Sequence, residues 1–276
     1  MELYYHNWNK SENPNREKLV FLHGLGGTGG LWRPIAAQLE NEINLLALDQ
    51  RGHGKSRGPE NSAHFISDYS PSSYGQDVID TLHSLNFHPA WLVGHSMGVR
   101  TAVAAAHLKP EWIQGLILID LGFSGIAGGG LGENLSRFLK LLPPQFDNRG
   151  EARKFMDTHC PDASMAQYLM AVSVLDAQGQ VTFPFDHSAL IQTIQSARGT
   201  SIREWVQELS VQGIPALILR GERSSVWSHE EFENERQGFT SFPNVIFKEV
   251  PNAGHGLPFE QRAVFVSLVR EFLGTA

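Results

Sequence analysis

The stretch Trp91-Leu-Val-Gly94-His95-Ser96-Met97-Gly98 decides the fold, because an apolar run ends there at a Gly-x-Ser-x-Gly pentapeptide. Ala90 to Val93 is typical of a buried strand, and the residues after Gly98 are typical of a helix that ends at Lys109-Pro110. The small apolar residues of that helix recur at helical spacing: Val99, Ala102, Val103 and Ala106. A chain that passes so abruptly from strand to helix holds the central residue in a strained turn, which we call the elbow. We therefore expect Ser96 to have a positive φ and to present its hydroxyl above the edge of a sheet.

The composition is that of a globular protein with no affinity for nucleic acid. The 276 residues are 41% hydrophobic and 10% aromatic, which is enough for one large α/β domain or two small ones. The formal net charge is -7, and no run of lysine and arginine residues is present to neutralise phosphates. DNA and RNA are therefore not expected as partners.

The cysteine content and the first residues predict a cytoplasmic protein. Cys160 is the single cysteine and has no partner for an internal disulfide, and the first eight residues lack the basic start and apolar core of a signal peptide. No uninterrupted apolar stretch approaches the roughly 20 residues that span a bilayer. We expect a protein of a reducing compartment with no membrane span.

Buried-strand and helix patterns alternate along most of the chain. Apolar runs of the strand type recur at Lys18–Leu22, Ile43–Leu48, Gly115–Ile119, Pro215–Leu219 and Asn244–Val250. Helix patterns lie at Leu31–Leu39, from Ser70-Pro71 onward and at Pro258–Leu273. This βαβ rhythm predicts an α/β fold with a mostly parallel central sheet flanked by helices. Leu3 to Trp8 is predicted to be an edge strand.

Residues 121–209 interrupt this rhythm and predict a helical cap. Six glycines fall within residues 122 to 132, and the helix patterns after them are separated by prolines and glycines, with no strand pattern among them. Ser201 and Glu204 predict a capping box before the last of these helices. Because the glycines leave the sheet directly after Asp120, we expect a mobile cap over a site, inserted into a core of residues 1–120 and 210–276. The alternative is a set of additional core helices.

A glycine loop, His23-Gly24-Leu25-Gly26-Gly27, follows the first buried run. Glycines permit a tight turn and leave backbone N–H groups free to point at an anion, as in a phosphate cradle or an oxyanion hole. The Lys-Ser/Thr ending of a Walker loop is absent, and Thr28 stands near where a dinucleotide fingerprint needs glycine. The loop therefore gives no indication of a nucleotide cofactor.

Four motifs resemble, in their order and spacing, those of the α/β-hydrolase superfamily. They are His23-Gly24, Asp49-x-Arg51-Gly52-His53-Gly54-x-Ser56, Gly94-His95-Ser96-Met97-Gly98 and Gly254-His255. The resemblance covers nearly the whole chain outside the predicted cap. It implies an α/β-hydrolase fold and a serine hydrolase whose catalytic residues lie on loops at the carboxyl ends of strands. It also implies an oxyanion hole formed by the N–H groups of Leu25 and Met97. The residues expected near the substrate are His23, Gly24, His95 and Arg100.

Ser96 needs a base, and His255 is the best candidate among the 12 histidines. A serine hydroxyl is a poor nucleophile at neutral pH unless an imidazole accepts its proton and a carboxylate orients that imidazole. His255 lies in a glycine-flanked turn between a predicted strand and the last helix, so it can reach the same sheet edge as Ser96. The sequence has no HExxH motif and no pair of cysteines, so no metal site is predicted.

The orienting acid is where the sequence departs from the family pattern. In many relatives the strand before the last ends in Gly-x-x-Asp, whereas the matching stretch here, Gly221-Glu-Arg-Ser224, ends in serine. The predicted acid is Asp120, which follows the predicted strand Gly115–Ile119, the next strand after the one that leads to Ser96. A group of bacterial esterases that the sequence resembles has its acid at this place. Glu222 is the competitor on the usual loop. A dyad without a firmly placed acid is a third possibility.

These residues predict a carboxylesterase-type serine hydrolase that acts on small esters or thioesters through an acyl-enzyme, with no cofactor. One alternative is a lyase or carbon–carbon hydrolase, because Arg100 follows the elbow as an arginine does in the menaquinone-pathway lyase of the superfamily. Another is a hydrolase fold that serves as a small-molecule receptor with little turnover. The sequence does not indicate an oligomeric state.

Overall fold

The computed structural model describes residues 1–9, 13–57, 68–124 and 131–275. These residues contain ten β-strands: β1 (Tyr5–Asn7), β2 (Lys18–Leu22), β3 (Asn44–Leu48), β4 (Ala90–His95), β5 (Ile113–Ile119), β6 (Gln145–Phe146), β7 (Val174–Leu175), β8 (Val181–Thr182), β9 (Ala216–Gly221) and β10 (Val245–Val250). They also contain eleven α-helices: α1 (Arg33–Leu39), α2 (Pro71–Ser84), α3 (Met97–Leu108), α4 (Leu131–Leu141), α5 (Arg149–His159), α6 (Ala163–Val172), α7 (His187–Ser196), α8 (Arg203–Val211), α9 (His229–Gly238), α10 (Leu257–Glu260) and α11 (Arg262–Leu273).

Seven of these strands form one sheet in the order β1-β3-β2-β4-β5-β9-β10. The edge strand β1 pairs antiparallel with β3, and the other neighbouring pairs are parallel. The central strands are almost entirely buried, as parallel strands are when helices cover both faces of their sheet. The predicted α/β class, with a mostly parallel sheet flanked by helices, is confirmed.

Helices cover both faces of this sheet with apolar side chains. On one face α1 and α11 pack against it, with Ile35 and Phe265 fully buried. On the other face α2, α3, α8 and α9 pack against it, with Val78, Val99 and Phe232 in their shared core. Complete burial of a side chain of this size stabilises a fold by roughly 1.5–3 kcal/mol. The sheet is therefore a rigid platform for the loops at its edges.

The parallel strands bring three loops to one edge of the sheet. Strand β4 ends directly before Ser96, and its neighbour β5 ends directly before Asp120. Strand β10 leads into the turn that carries His255. Because parallel strands end at the same edge, residues far apart in sequence meet there.

The segment between β5 and α8 has its own apolar core, which includes Phe138, Met156, Leu169 and Phe183. Our expectation of an all-helical insertion is wrong, because β6, β8 and β7 form a small antiparallel sheet beside α4 to α7. Each of these strands has two residues, which is too short for the alternating pattern by which a strand is recognised in sequence.

The start of α8 also differs from its prediction. The residue that precedes the helix as N-cap is Ile202, and Ser201 accepts a hydrogen bond from the amide of Arg203 alone, so the capping box of Ser201 and Glu204 is not formed. A capping box is present at α9, between Ser228 and Glu231. The apolar residues of α8 join the core that α3 forms on the sheet, so this helix packs with the sheet rather than with the inserted segment.

The last predicted helix, Pro258–Leu273, is expected to be continuous, but the structure divides it into α10 and α11. At Gln261 the ψ angle is 49°, which is outside the helical range, and α10 ends there before α11 begins. Of the glycine-rich stretch at residues 122 to 132, the part at residues 125–130 lies outside the described ranges, as do residues 58–67. Within the described ranges, every helix is too short or too polar to traverse a lipid bilayer.

Candidate active site

Ser96 lies in a sharp turn between β4 and α3, with φ 53° and ψ -120°. Its amide donates to the carbonyl oxygen of Ile119 at 2.9 Å, which ties the turn to the neighbouring strand. The flanking glycines permit the close approach of the backbone. A Cβ on Gly94 would lie 2.3 Å from the carbonyl oxygen of Gly98, and a Cβ on Gly98 would lie 2.4 Å from that of Leu22. This is the strained strand-to-helix turn that the pentapeptide predicts.

Three side chains from three loops form a continuous chain of hydrogen bonds. The distance from Ser96 Oγ to His255 Nε2 is 3.0 Å, and the distance from His255 Nδ1 to Asp120 Oδ2 is 2.8 Å. The Asp120 carboxylate is fully buried, whereas the His255 side chain keeps 17% of its surface exposed toward the cavity. With Nδ1–H donating to the carboxylate, Nε2 is free to accept the proton of the serine hydroxyl. The structure thus brings together the three residues predicted as nucleophile, base and acid.

The carboxylate of Asp120 accepts two further hydrogen bonds. The amide of Gly221 donates to Oδ1 at 2.9 Å, and the hydroxyl of Ser224 donates to Oδ2 at 2.5 Å. Sequence reasoning treated Ser224 only as the residue that replaces an acid, and did not foresee that its hydroxyl would support another. The competing acid, Glu222, points elsewhere and accepts from the amide of Asn252 at 2.8 Å.

The glycine loop after β2 lies beside the elbow, and a buried histidine fixes its shape. Nε2 of His53 accepts the amide proton of Gly26 at 3.0 Å, while its Nδ1–H donates to the carbonyl of Arg51 at 2.9 Å. Burial lowers the pKa of His53 to about 3, so the ring is neutral and can accept. Within the described residues, the amides of Leu25 and Met97 donate to no protein acceptor, which leaves both N–H groups available to a ligand.

His23 holds the base of this loop rather than facing a ligand. Its Nδ1–H donates to the carbonyl of Gly24 at 2.8 Å, and its Nε2 accepts from the amide of Gln50 at 3.0 Å. Burial lowers its pKa to about 4. His23 does not line either of the cavities at Ser96, whereas Gly24 lines one of them.

His95 supports the backbone of the candidate base. Its Nε2–H donates to the carbonyl oxygen of His255 at 2.7 Å, and the two rings lie 4.9 Å apart between centroids. Burial, followed by the nearby charge of His255, lowers the pKa of His95 to about 3. A neutral ring at this position does not oppose the positive charge that His255 acquires when it takes up a proton. Its predicted contact with substrate remains a prediction, although it lines one cavity.

Arg100 lies on α3 one helical turn beyond Ser96 and keeps 5% of its surface exposed. Its guanidinium donates to the carbonyl oxygens of Thr200 at 2.7 Å and Ser124 at 2.5 Å. Burial lowers its pKa to about 10, so it is positively charged at neutral pH. It lines one cavity, but its resolved hydrogen bonds go to the protein backbone.

Two cavities, of about 360 and 450 Å³, meet at Ser96 and His255. Both are also lined by Leu25, and by Leu135, Met165 and Val226. The first continues toward Arg100 and Trp227, and the second continues along Tyr168 and Phe259. Their linings are mostly apolar, as is usual for small-molecule sites of this size. Within the described residues, no group of three or more His, Cys, Asp or Glu side chains is placed to hold a metal ion.

Comparison with known proteins agrees with this fold. Residues 18–261 match the sequence profile of a family described as alpha/beta hydrolase fold, and the chain belongs to that family. It is 24% identical over 260 residues to esterase YbfF of Escherichia coli, covering 94% of each chain. It is 26% identical over 262 residues to the sn-1-specific diacylglycerol lipase ABHD11 of Mus musculus, covering 92% of this chain and 80% of that one.

The fold also matches solved structures along its full length. A marine microorganism esterase superposes with a TM-score of 0.79 at 23% identity, with 98% of this chain and 99% of that chain covered. The family membership predicted from four motifs is therefore confirmed, and the esterase- and lipase-named relatives support a hydrolase activity for this chain.

Proposed function

We propose that this chain is a serine hydrolase that cleaves small carboxylic esters or thioesters through an acyl-enzyme intermediate. One observation carries the proposal: Ser96, His255 and Asp120 are joined by hydrogen bonds, and the serine hydroxyl lies where two cavities meet. The relatives named as an esterase and a lipase support the same chemistry. The nucleophile, the base and the orienting acid are all side chains, so this route uses no cofactor.

In acylation, Ser96 Oγ attacks the carbonyl carbon of the substrate while its proton moves to Nε2 of His255. Asp120 keeps its hydrogen bond to Nδ1 and stabilises the imidazolium. The N–H groups of Leu25 and Met97 are the proposed donors to the oxyanion, each worth about 3 kcal/mol in the transition state. His255 then returns the proton to the leaving alkoxide or thiolate as the C–O or C–S bond breaks.

Deacylation repeats these steps with water as the nucleophile. His255 removes a proton from a water molecule that attacks the acyl carbon, and the same oxyanion donors stabilise the second tetrahedral intermediate. Collapse of that intermediate releases the carboxylic acid, and the proton on Nε2 returns to Ser96 Oγ. The enzyme is thereby restored with one ester bond hydrolysed.

The inserted segment is the cap in this proposal. Leu135, Met165 and Ile194 come from it and form apolar walls of the cavities at Ser96. Because α8 packs on the sheet, the cap in this proposal ends before Arg203 rather than at residue 209. With cavities of about 360 and 450 Å³ on two sides of the nucleophile, we expect substrates whose acyl and leaving groups are both larger than a methyl group.

Two other functions fit these residues less well. A lyase of the kind suggested by Arg100 needs a second cation in the same cavity, and Arg100 is the only lysine or arginine among the described residues that line either cavity. A receptor without turnover does not require the serine, histidine and aspartate to be in hydrogen-bond contact. Ester hydrolysis uses each of these contacts, so it is the function we favour.

The test is turnover of a panel of nitrophenyl esters and thioesters by the wild type, Ser96→Ala and Ser84→Ala. Ser96→Ala should lose at least about ten-thousandfold in kcat, because no other group supplies the nucleophile. Ser84→Ala, a helix-end serine that bonds only the carbonyl of Thr81, should match the wild type. Fluorophosphonate labelling at Ser96 and unchanged thermal unfolding of Ser96→Ala complete the expected result. Wild-type turnover by Ser96→Ala, or labelling at another serine, contradicts the proposal.

A further inference from the structure

Arg100 joins the nucleophile helix to both ends of the inserted segment. Ser124 lies just after β5, where the chain leaves the sheet, and Thr200 lies just before α8, where it returns. The guanidinium donates to the carbonyl oxygens of both residues, at 2.5 Å and 2.7 Å. Among the described residues these two backbone carbonyls are the hydrogen-bond partners of the Arg100 guanidinium, and its buried Nε–H has none.

Other contacts converge on the same point. The amide of Ile202 donates to the carbonyl of Phe123 at 2.9 Å. This hydrogen bond directly joins the backbone that enters the inserted segment to the backbone that leaves it. The buried Glu235 of α9 forms an ion pair with Arg203 at 3.0 Å and lies 3.5 Å from the hydroxyl of Ser124. The two connections of the inserted segment, at Ser124 and at Thr200, are therefore held against each other. Arg100 is the residue that fastens them to the helix that follows Ser96.

This arrangement sets the distance between the cap and the nucleophile. Arg100 is four residues after Ser96 on α3, and a helix of this length is stiff over one turn. The segment between the two connections supplies Leu135, Met165 and Ile194 to the cavity walls. How the connections attach to α3 therefore bears on the position of these walls, whereas the hydrogen bonds of Arg100 go to neither Ser96, His255 nor Asp120.

We infer that Arg100 is a positioning residue that sets the substrate cavity by clamping both connections of the cap to the nucleophile helix. This role differs from direct recognition of an anionic substrate by the same side chain. It rests on the proposed function only for its kinetic consequence. Its structural consequence, protection of the two connections, is measurable in the absence of turnover.

The test compares Arg100→Met and Arg100→Lys with the wild type by hydrogen exchange and by ester kinetics. Methionine removes both hydrogen bonds, and lysine keeps the charge but has one donor group in place of a fork. We expect exchange of the Ile202 amide and its neighbours to accelerate about tenfold or more in Arg100→Met, with the strands of the sheet unchanged. KM should rise by about fivefold or more and kcat should change less, equally for neutral and anionic esters. The exchange rates and KM values of Arg100→Lys should lie between those of the wild type and Arg100→Met. If the methionine variant does not fold, Arg100→Lys serves as the test variant.

Arg270→Met is the matched control, because Arg270 also joins two elements, through Glu42 and the carbonyl of Gln38, on the far side of the sheet from α3. It should leave exchange at Ile202 and the KM values unchanged. Unchanged exchange at Ile202 in both Arg100 variants overturns the inference. So does a loss of activity confined to anionic esters, which assigns Arg100 to substrate recognition. If the wild type hydrolyses no ester, the proposed function fails while the exchange data still decide the role of Arg100.

Discussion

At the scale of single residues, the carboxylate of Asp120 is the most constrained group in the site. Three donors from three different positions converge on it: the amide of Gly221, the hydroxyl of Ser224 and Nδ1–H of His255. Asp120 itself has a φ of 55°, a left-handed conformation that aspartate tolerates better than most residues. A carboxylate held this way cannot rotate away from His255, which is what orientation of an imidazole requires.

The first prediction at this scale concerns the identity of the acid. Asp120→Asn preserves shape but favours the wrong imidazole tautomer, a change that costs about ten-thousandfold in a serine protease. We expect it to lose at least roughly a hundredfold in turnover here, whereas Glu222→Gln should stay within about tenfold of wild type because Glu222 bonds only a surface amide. Steady-state kinetics of both variants on one ester decide between them. A larger loss in Glu222→Gln reverses the assignment.

A second prediction moves the acid to the neighbouring loop. Ser224 Oγ lies 2.5 Å from the Asp120 oxygen that bonds His255, so a carboxylate at position 224 starts close to the imidazole. We expect Asp120→Asn combined with Ser224→Asp to recover at least about tenfold of the turnover that Asp120→Asn loses, since the restored acid again selects the productive tautomer. Ser224→Asp alone is the control, and it should be impaired, because two carboxylates in contact repel. A double variant no faster than Asp120→Asn shows that position 224 cannot orient His255.

At the scale of elements, the turn between β4 and α3 depends on the absence of side chains. A Cβ on Gly98 meets the carbonyl oxygen of Leu22 at 2.4 Å, and backbone on a central strand cannot give way cheaply. We expect Gly98→Ala to lower the free energy of unfolding by about 1–3 kcal/mol and to reduce turnover, because relief of the overlap moves the helix that follows Ser96. Denaturant unfolding and ester kinetics measure the two effects.

Gly30→Ala is the control for that substitution. Its Cβ would find its nearest neighbour at 3.5 Å, an ordinary contact, and its φ is not in the left-handed region. We expect it to change stability by less than about 0.5 kcal/mol, as most substitutions outside tightly packed positions do. Equal behaviour of the two alanine variants contradicts the steric account of the turn.

How well the sequence predicts an element depends on its length and on where its partners lie. The buried strands and the elbow are predictable because each carries its own signal within five to seven residues, as Gly94 to Gly98 do. Strand β6 pairs through Gln145 with Thr182, 37 residues away, and two residues show no period. Helix α8 begins one residue later than the predicted capping box of Ser201 and Glu204 requires. The reason is that the backbone amide of Ile202 is held by its hydrogen bond to the carbonyl oxygen of Phe123.

The same distinction applies to the site. Ser96 and His255 lie in local motifs, and Asp120 marks the end of a strand, so all three could be named from sequence alone. The supporting contacts could not: His53 bonds Gly26 across 27 residues, and Arg100 bonds Thr200 across 100. Such pairs carry no local signal, because they arise only when the sheet brings separate loops together.

At the scale of the whole molecule, the site is built on histidines that must stay neutral. His23, His53 and His95 are fully buried, and burial lowers their pKa values to about 4, 3 and 3. Two of them accept backbone amide protons at Nε2, a role that a protonated ring cannot perform. His23 and His53 also lie 4.9 Å apart between ring centroids, so protonation of both is opposed by charge repulsion.

We expect these buried rings to make the stability of the fold fall steeply in mild acid. In the unfolded chain a histidine titrates near pH 6.5, above the folded-state values, so the unfolded state takes up protons first as the pH falls. The free energy of unfolding should therefore decrease from about pH 6.5 downward, by up to about 1.4 kcal/mol per pH unit for each ring and roughly 4 kcal/mol per pH unit for the three. Aspartate and glutamate titrate lower and contribute little between pH 6.5 and 5.

Urea unfolding at pH 7.5, 6.5, 5.5 and 5.0 measures this dependence. The fold should be most stable above pH 6.5 and should lose roughly 6 kcal/mol by pH 5, a large share of the stability of an ordinary domain. His53→Gln provides the internal control, because it removes one titrating ring while the glutamine amide oxygen can still accept from the amide of Gly26. The variant should be less stable than the wild type at pH 7.5. Its free energy of unfolding should fall less steeply with pH, since unfolding takes up about one proton fewer. A free energy of unfolding that stays level between pH 7.5 and 5, or an equal slope in His53→Gln, means that the buried rings are not kept neutral by the fold.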